Sequence, residues 1–168
     1  MDVTVRFLRV ESKEDIACTA RLAHEIWNEH YVSIIGQGQV DYMVAKFQSE
    51  QAIAQQIAEA YEYYLIEHDQ TLAGYLAVQP QPDTSRMFLS KIYIKKSFRG
   101  LGLGKAAVEY AEKLCLDSNL TTLWLTVNKK NSHSINWYHR MGFTNAGPVV
   151  MDIGAGFIMD DYKMEKTI

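Results

Sequence analysis

An α/β fold built on one mixed sheet is predicted by three observations in this chain of 168 residues. Strand-like and helix-like runs follow one another in the order β-αα-βββ-α-β-α-ββ. Apolar residues make up 48% and charged residues 22% of the chain, which suits one globular core. A glycine-rich segment, Arg99-Gly100-Leu101-Gly102-Leu103-Gly104-Lys105, joins a strand-like run to a helix-like run. The length is most economically a single domain, residues 1–168.

Val3 to Val10 alternates as a strand, with Val3, Val5, Phe7 and Arg9 on one face. Ser12 and Asp15 offer starts for a helix from about Lys13 to His30, whose apolar set Ile16, Thr19 or Ala20, Ala23, and Ile26 or Trp27 has helical spacing. A second helical region, about Val40 to Ala60, breaks near Ser49, a capping residue for its second half. Strands Tyr61–His68 and Thr71–Gln79 form a hairpin at Asp69-Gln70, and Pro80, Pro82 and Asp83 mark a loop before a strand from Met87 to Ile94.

From Gly102 to about Asp117 a helix shows Leu103, Ala107, Tyr110 or Ala111, and Leu114 on one side and Lys105, Glu109 and Glu112 on the other. Strand Thr122–Val127 follows, then a short helix from Ser132 to Met141 that ends at Gly142. The tail reads as two strands, Phe143–Val150 and Phe157–Lys166, around Gly154-Ala155-Gly156. No repeat, low-complexity tract or interdomain linker interrupts this order.

A net charge of −3 argues against a nucleic-acid partner and favours cationic ligands such as amines. Cys18 and Cys115 both lie in helix-like sequence and read as two small buried thiols rather than a bridge. The N-terminus lacks a signal-peptide pattern and no apolar run is long enough to span a membrane, so a cytoplasmic protein with no membrane partner is expected. In that compartment the Asn119-Leu120-Thr121 triplet carries no glycan.

The glycine segment carries the chemistry. Glycines at alternate positions leave backbone N–H groups unobstructed, and the helix that follows adds the partial positive charge of its N-terminus. Such a construction suits a phosphorylated ligand. A Walker loop would need Ser or Thr after Gly104-Lys105, where Ala106 stands. A dinucleotide fingerprint would need a third glycine at Lys105 and an acidic residue after the next strand, where Asn128 stands.

A third pattern fits. Arg99-x-x-Gly102-x-Gly104 resembles the Arg/Gln-x-x-Gly-x-Gly/Ala signature of the GNAT superfamily of acyl-CoA-dependent N-acetyltransferases. The preceding strand Lys91–Phe98 looks like that family's strand into the loop, and Asn131, Ser134, Tyr138 and Gly142-Phe143 are similar to its second motif. The matched stretches run from about Met87 to Gly147, and parts of the sequence are also similar to bacterial polyamine (spermidine) N-acetyltransferases. The resemblance implies a mixed, mostly antiparallel sheet of about seven strands flanked by about four helices. It implies acetyl-CoA as cosubstrate, a small primary amine as acceptor and no metal. GNAT domains are often homodimers, although no segment here reports an interface.

The resemblance also implies residue roles. Backbone groups of Arg99, Gly100, Leu101, Gly102, Leu103, Gly104 and Lys105 would bind the pyrophosphate of CoA. The strand edge Ile92-Tyr93-Ile94 would pair with the pantetheine amides, and Asn131 and Ser134 would touch the same arm. Asn131, Ser134 and Tyr138 lie three and four positions apart, on one side of a helix. Tyr138 would protonate the departing thiolate, since a phenol with a pKa near 10 carries its proton at neutral pH.

A base is not assigned. Polyamine acetyltransferases of this type carry a glutamate where Ser90 stands, and Met87 to Lys91 holds no carboxylate. Glu25, Glu29, Asp41, Glu62 or a water relayed by Ser90 are the alternatives. His24 and His30 miss the zinc-protease spacing, because six residues turn a helix by about 240°. His133 and His139 read as surface residues. The expected activity is direct acetyl transfer in a ternary complex, with the loop Ser33–Gly38 helping to choose the acceptor. The competing expectations are a CoA-binding sensor without turnover and a nucleotide-binding protein.

Overall fold

The structure is a computed structural model that describes residues 4–168. Val3, expected at the start of the first strand, lies outside the described residues. Seven strands pair in the order β1-β2-β3-β4-β5-β7-β6, where β1 is Val5–Arg9, β2 Glu62–His68, β3 Thr71–Gln81, β4 Arg86–Ile94, β5 Thr122–Asn128, β6 Thr144–Gly154 and β7 Phe157–Thr167. The β1/β2, β2/β3, β5/β7 and β6/β7 ladders are antiparallel and β4/β5 is parallel. This is the mixed sheet the sequence predicts.

Six α-helices accompany the sheet among the described residues: α1 (Lys13–His30), α2 (Val32–Ile35), α3 (Gln37–Phe47), α4 (Glu50–Ala58), α5 (Leu103–Asp117) and α6 (Ser132–Arg140). Ser12 and Asp15 close a capping box on α1, each side chain accepting from the other's N–H, at 3.1 and 3.2 Å. The N–H groups of Glu11 and Ser12 hold the Asp15 carboxyl below the ordinary carboxylate range. Ser49 caps α4 as expected, accepting from the Ala52 N–H at 3.2 Å. The expected loop Ser33–Gly38 is instead mostly helical. Gly36, at φ +87°, stops α2 and restarts the chain as α3, three residues before the predicted start at Val40.

β3 runs on through Pro80, which the sequence places in a loop. Its pairing with β2 ends at Val78, so the missing proline N–H falls beyond that ladder. β6 extends past Val150 to Gly154 because its ladder with β7 continues to a two-residue turn, Ala155 and Gly156, both at positive φ. β6 ends the strand order, where Pro148 is tolerated.

Close packing groups the described residues into two compact units. The first contains residues up to 79 and 91–110, and the second 80–90 and 111–168. In the first, Ile26, Trp27, Met43, Ile53, Tyr63 and Tyr75 are buried. Phe7 stacks on Tyr110 at 4.2 Å there, and Tyr64 meets the same ring edge-on at 5.1 Å. In the second, β5 alternates cleanly: Leu123, Leu125 and Val127 are buried, while Trp124 and Thr126 are half-buried. Cys115 is a buried free thiol of that unit, whereas Cys18 is only half-buried and receives a contact from Arg21 at 3.0 Å. None of the described helices is long and apolar enough to cross a membrane.

Candidate active site

In the first unit β4 ends at Ile94, and a single 3-10 turn, Lys96–Phe98, leads into the glycine loop. Ile92, Tyr93 and Ile94 are half-buried. The Tyr93 ring packs among Trp27 (5.4 Å), Tyr75 (5.3 Å) and Tyr31 (6.0 Å). Close approach of β3 to this segment depends on Gly74, because a Cβ there would stand 2.1 Å from the Tyr93 carbonyl oxygen. The turn itself is held from α1. Glu29 accepts from the Lys96 N–H at 2.5 Å, and Glu25 pairs with Lys95 at 3.3 Å.

The loop has its own geometry. Gly100 and Gly102 both sit at φ +80°, the left-handed region where L side chains are strained. A Cβ at either position would meet nothing within 4 Å. The glycines are therefore set by backbone conformation and by an open surface, not by internal packing. Gly104 differs: it lies in the first turn of α5 with Leu103 and Lys105. The first intrahelical bond is Ala106 N–H to Gly102 C=O, at 3.1 Å. The first turn's N–H groups have no acceptor within the helix, the arrangement that attracts anions. Leu103 is buried and anchors the turn, Leu101 is 43% exposed, and Arg99 is exposed. Lys105 points outward, 67% exposed and 4.0 Å from Glu109.

In the second unit Asn131 is the N-cap of α6, and its side-chain oxygen accepts from the Ser134 N–H at 3.3 Å. The pair is thus joined by a cap before any ligand is considered. Tyr138 is 8% exposed and packs edge-on against Trp137 (5.1 Å) and Phe143 (5.5 Å). A Schellman motif fixes this end of the helix: Phe143 N–H bonds to Tyr138 C=O and Gly142 N–H to His139 C=O, both at 3.0 Å. Gly142, at φ +98°, supplies the left-handed residue the motif needs. The parallel β4/β5 ladder covers Arg86–Phe88 against Thr122–Trp124, near the start of both strands.

The carboxylates weighed as bases already have partners. Glu25 and Glu29 hold the turn before the loop, Asp41 accepts from Gln37 at 2.8 Å, and Glu62 pairs with Arg9 at 3.1 Å. His24 is exposed, and the His30 ring stands edge-on to Tyr31. His133 and His139 are exposed. Among the described residues no group of three His, Cys, Asp or Glu side chains is placed to hold a metal.

Two buried ionisable groups were not singled out from the sequence. Lys91, 5% exposed, gives its ammonium three acceptors in the first unit: Phe47 C=O at 2.6 Å, Gln56 Oε1 at 3.1 Å and the Tyr63 hydroxyl. Burial lowers its pKa from 10.5 to about 7. Its signal was alternation, since Met87, Leu89 and Lys91 share a parity on β4 and all three are buried. Asp161 of β7 is 2% exposed, and burial pushes its carboxyl up to about 6.

A mixed sheet with one parallel pair, and a glycine turn opening into a helix, define an α/β protein shaped for a phosphate-bearing ligand. Residues 21–143 match the acetyltransferase (GNAT) family, and the chain belongs to it. It is 32% identical over 98 residues to an uncharacterized N-acetyltransferase in the pepI 3′ region of Lactobacillus delbrueckii subsp. lactis, covering 55% of this chain and 57% of that protein. The chain spans about half the length of the curated relatives it matches. The PaiA N-acetyltransferase of Thermoplasma acidophilum, solved with coenzyme A, has the same fold, with a TM-score of 0.77 at 21% identity over 100% of both chains. A spermidine N-acetyltransferase from Vibrio cholerae is a more distant likeness, with a TM-score of 0.68 at 18% identity over 98% of this chain and 93% of its own. The likeness to polyamine acetyltransferases is therefore one of fold.

Proposed function

We propose that this chain, acting as one domain in the cytoplasm, transfers an acetyl group from acetyl-CoA to a small primary amine. The observation that carries the reading is the glycine loop: two left-handed glycines over open space, leading into the bare N–H groups of α5, in a member of this family. Arg99 to Lys105 would take the pyrophosphate through backbone donors, with the Arg99 and Lys105 side chains adding charge. Ile92 to Ile94 would receive the pantetheine amides as an added strand does. The Asn131 side-chain amide and Ser134 would contact the same arm.

Transfer needs no acyl-enzyme. A neutral amine attacks the thioester carbonyl, the C–S bond breaks, the thiolate takes a proton from the Tyr138 phenol, and the proton lost by the acylated nitrogen restores that phenol by way of solvent. The acceptor is a cationic amine, of polyamine type or smaller, in keeping with the chain's net charge of −3. Pairing into a homodimer is part of the same proposal.

The absence of a carboxylate on β4, where Ser90 stands, favours a second reading: a sensor that binds acyl-CoA without turnover. One experiment separates them. CoA release from acetyl-CoA is followed against polyamines, amino acids, aminoglycosides and short peptides, with CoA affinity measured alongside. Release with one amine class is the expected result. Tight CoA binding with no release across the panel establishes the sensor, and preferential binding of ATP or NAD removes both readings.

A further inference from the structure

In the β5/β7 ladder Thr126 stands opposite Lys163, and Asn128 opposite Asp161. Opposed residues share a face, as do residues two apart along a strand. Trp124, Thr126, Asn128, Asp161, Lys163 and Glu165 therefore lie on one face, while Leu123, Leu125, Val127 and Met164 fill the other. Most charges around this face are matched. Glu165 takes Arg86, Lys163 lies 4.8 Å from the Trp124 ring centre, and Lys129 pairs with Asp160 at 2.7 Å.

Asp161 is different. The Thr126 hydroxyl, on the same face of the β5/β7 ladder, acts on the Asp161 carboxyl as a donor that lowers its pKa, and Asp161 Oδ1 is buried with no partner. A buried carboxylate kept for structure alone is normally met by two or more donors or a cation. Burial is the chief cause of its raised proton affinity, and Asp160 adds to it. The Thr126 bond and Lys129 act in the opposite direction. β5 otherwise presents the neutral Asn128, and β6 the apolar Val149. The group therefore exchanges its proton near pH 6, within the range a general base can use.

Building on the acetyl-transfer reading above, we infer that Asp161, acting through the Thr126 hydroxyl, accepts the proton that the attacking amine must lose. Asp161 is shut from solvent, whereas Thr126 is half-buried, so the amine meets the hydroxyl. The ammonium gives its proton to Thr126 Oγ1 while the hydroxyl proton passes to the Asp161 carboxylate. The freed lone pair forms the N–C bond, the C–S bond breaks, and the thiolate takes the Tyr138 proton. The second proton on the acylated nitrogen restores the tyrosine by way of solvent, and Asp161 returns its own to water. One proton is released per acetyl group transferred.

The test compares Asp161→Asn and Thr126→Val with the native chain. Acetyl-CoA affinity, kcat/KM against pH and a series of amines of falling basicity are measured. Both variants should bind acetyl-CoA normally and lose about 100-fold or more in kcat/KM. Both should lose the acidic limb of the profile near pH 6, and the loss should shrink for amines that arrive unprotonated. A merely structural role lowers the melting temperature and leaves the limb and the basicity trend in place; that result overturns the assignment while acetyl transfer stands. If Asp161→Asn does not fold, Thr126→Val decides by the same limb. A native chain that binds acetyl-CoA and acetylates no amine overturns both proposals.

Discussion

The Lys91 ammonium stands 5.0 Å from the centre of the Tyr63 ring and donates to that ring's hydroxyl. The same hydroxyl donates to Gln56, so α4, β2 and β4 share one buried polar knot with the C-terminal carbonyl of α3. A cation at a helix C-terminus is favourable, yet burial outweighs that gain and drives the lysine pKa down to about 7. An unfolded lysine keeps its proton up to about 10.5. Between those values the unfolded chain binds more protons, so stability rises as pH climbs from 7 toward 10.5. Lys91→Met should flatten that rise in denaturant titrations. An equal rise in both proteins would exclude Lys91 as its source.

Neighbouring glycines of the loop should respond with opposite signs. Gly102 sits at φ +80°, so Gly102→Ala should cost about 1–2 kcal/mol of backbone strain. Gly104 is helical, so Gly104→Ala should add up to about 1 kcal/mol of stability. Urea unfolding of the two variants reads the difference directly. Weakened acetyl-CoA binding in Gly102→Ala, followed by calorimetry, would place the loop at the ligand.

Gly74→Ala should be among the most damaging single-methyl additions to the first unit. The added Cβ would lie 2.1 Å from backbone, the Tyr93 carbonyl oxygen, which cannot swing aside as a side chain can. A loss of about 3 kcal/mol or more is expected, above the usual 1–3 kcal/mol of overpacking. A melting temperature equal to the native value would show that β3 and β4 do not approach as described.

Tyr138→Phe keeps the ring between Trp137 and Phe143 and removes only the hydroxyl. Turnover should fall by about 100-fold, the lower range for a positioned acid, with acetyl-CoA affinity retained. Unchanged turnover would remove Tyr138 from the chemistry.

Asp161→Asn should stabilise the protein at neutral pH. The folded carboxyl titrates near 6 and the unfolded one near 3.8, so the folded state binds more protons between them. Native stability therefore falls as pH rises from about 4 to 6 and is level above. The variant lacks that fall and should exceed the native chain by about 2 kcal/mol at pH 7, converging below pH 4. Curves that stay parallel across this window would count against the raised proton affinity.

Local rules made most of this fold legible. Thr122–Val127 read as a strand, Ser12 and Ser49 announced their helices, and Gly142 announced the end of α6. The sequence missed α2, whose four residues are too short for a periodic signal. It also ended β3 and β6 early; β6 runs on to Gly154 because its ladder with β7 continues there, which the strand's own residues do not announce. The glycine loop was readable as a loop, but its division of labour was not. Only backbone dihedrals distinguish left-handed Gly100 and Gly102 from helical Gly104.

By itself, then, the sequence determined the mixed α/β order, the phosphate-ready turn and the family, all of which rest on short-range chemistry. The tertiary structure alone decided the state of the ionisable groups. Glu25 and Glu29 look like spare acids in sequence and are spent on Lys95 and the Lys96 N–H. Lys91 and Asp161 look like ordinary strand charges, and the fold buries both. A proton affinity depends on which distant segments exclude water and which donors they bring, and neither is written in the residues beside the group.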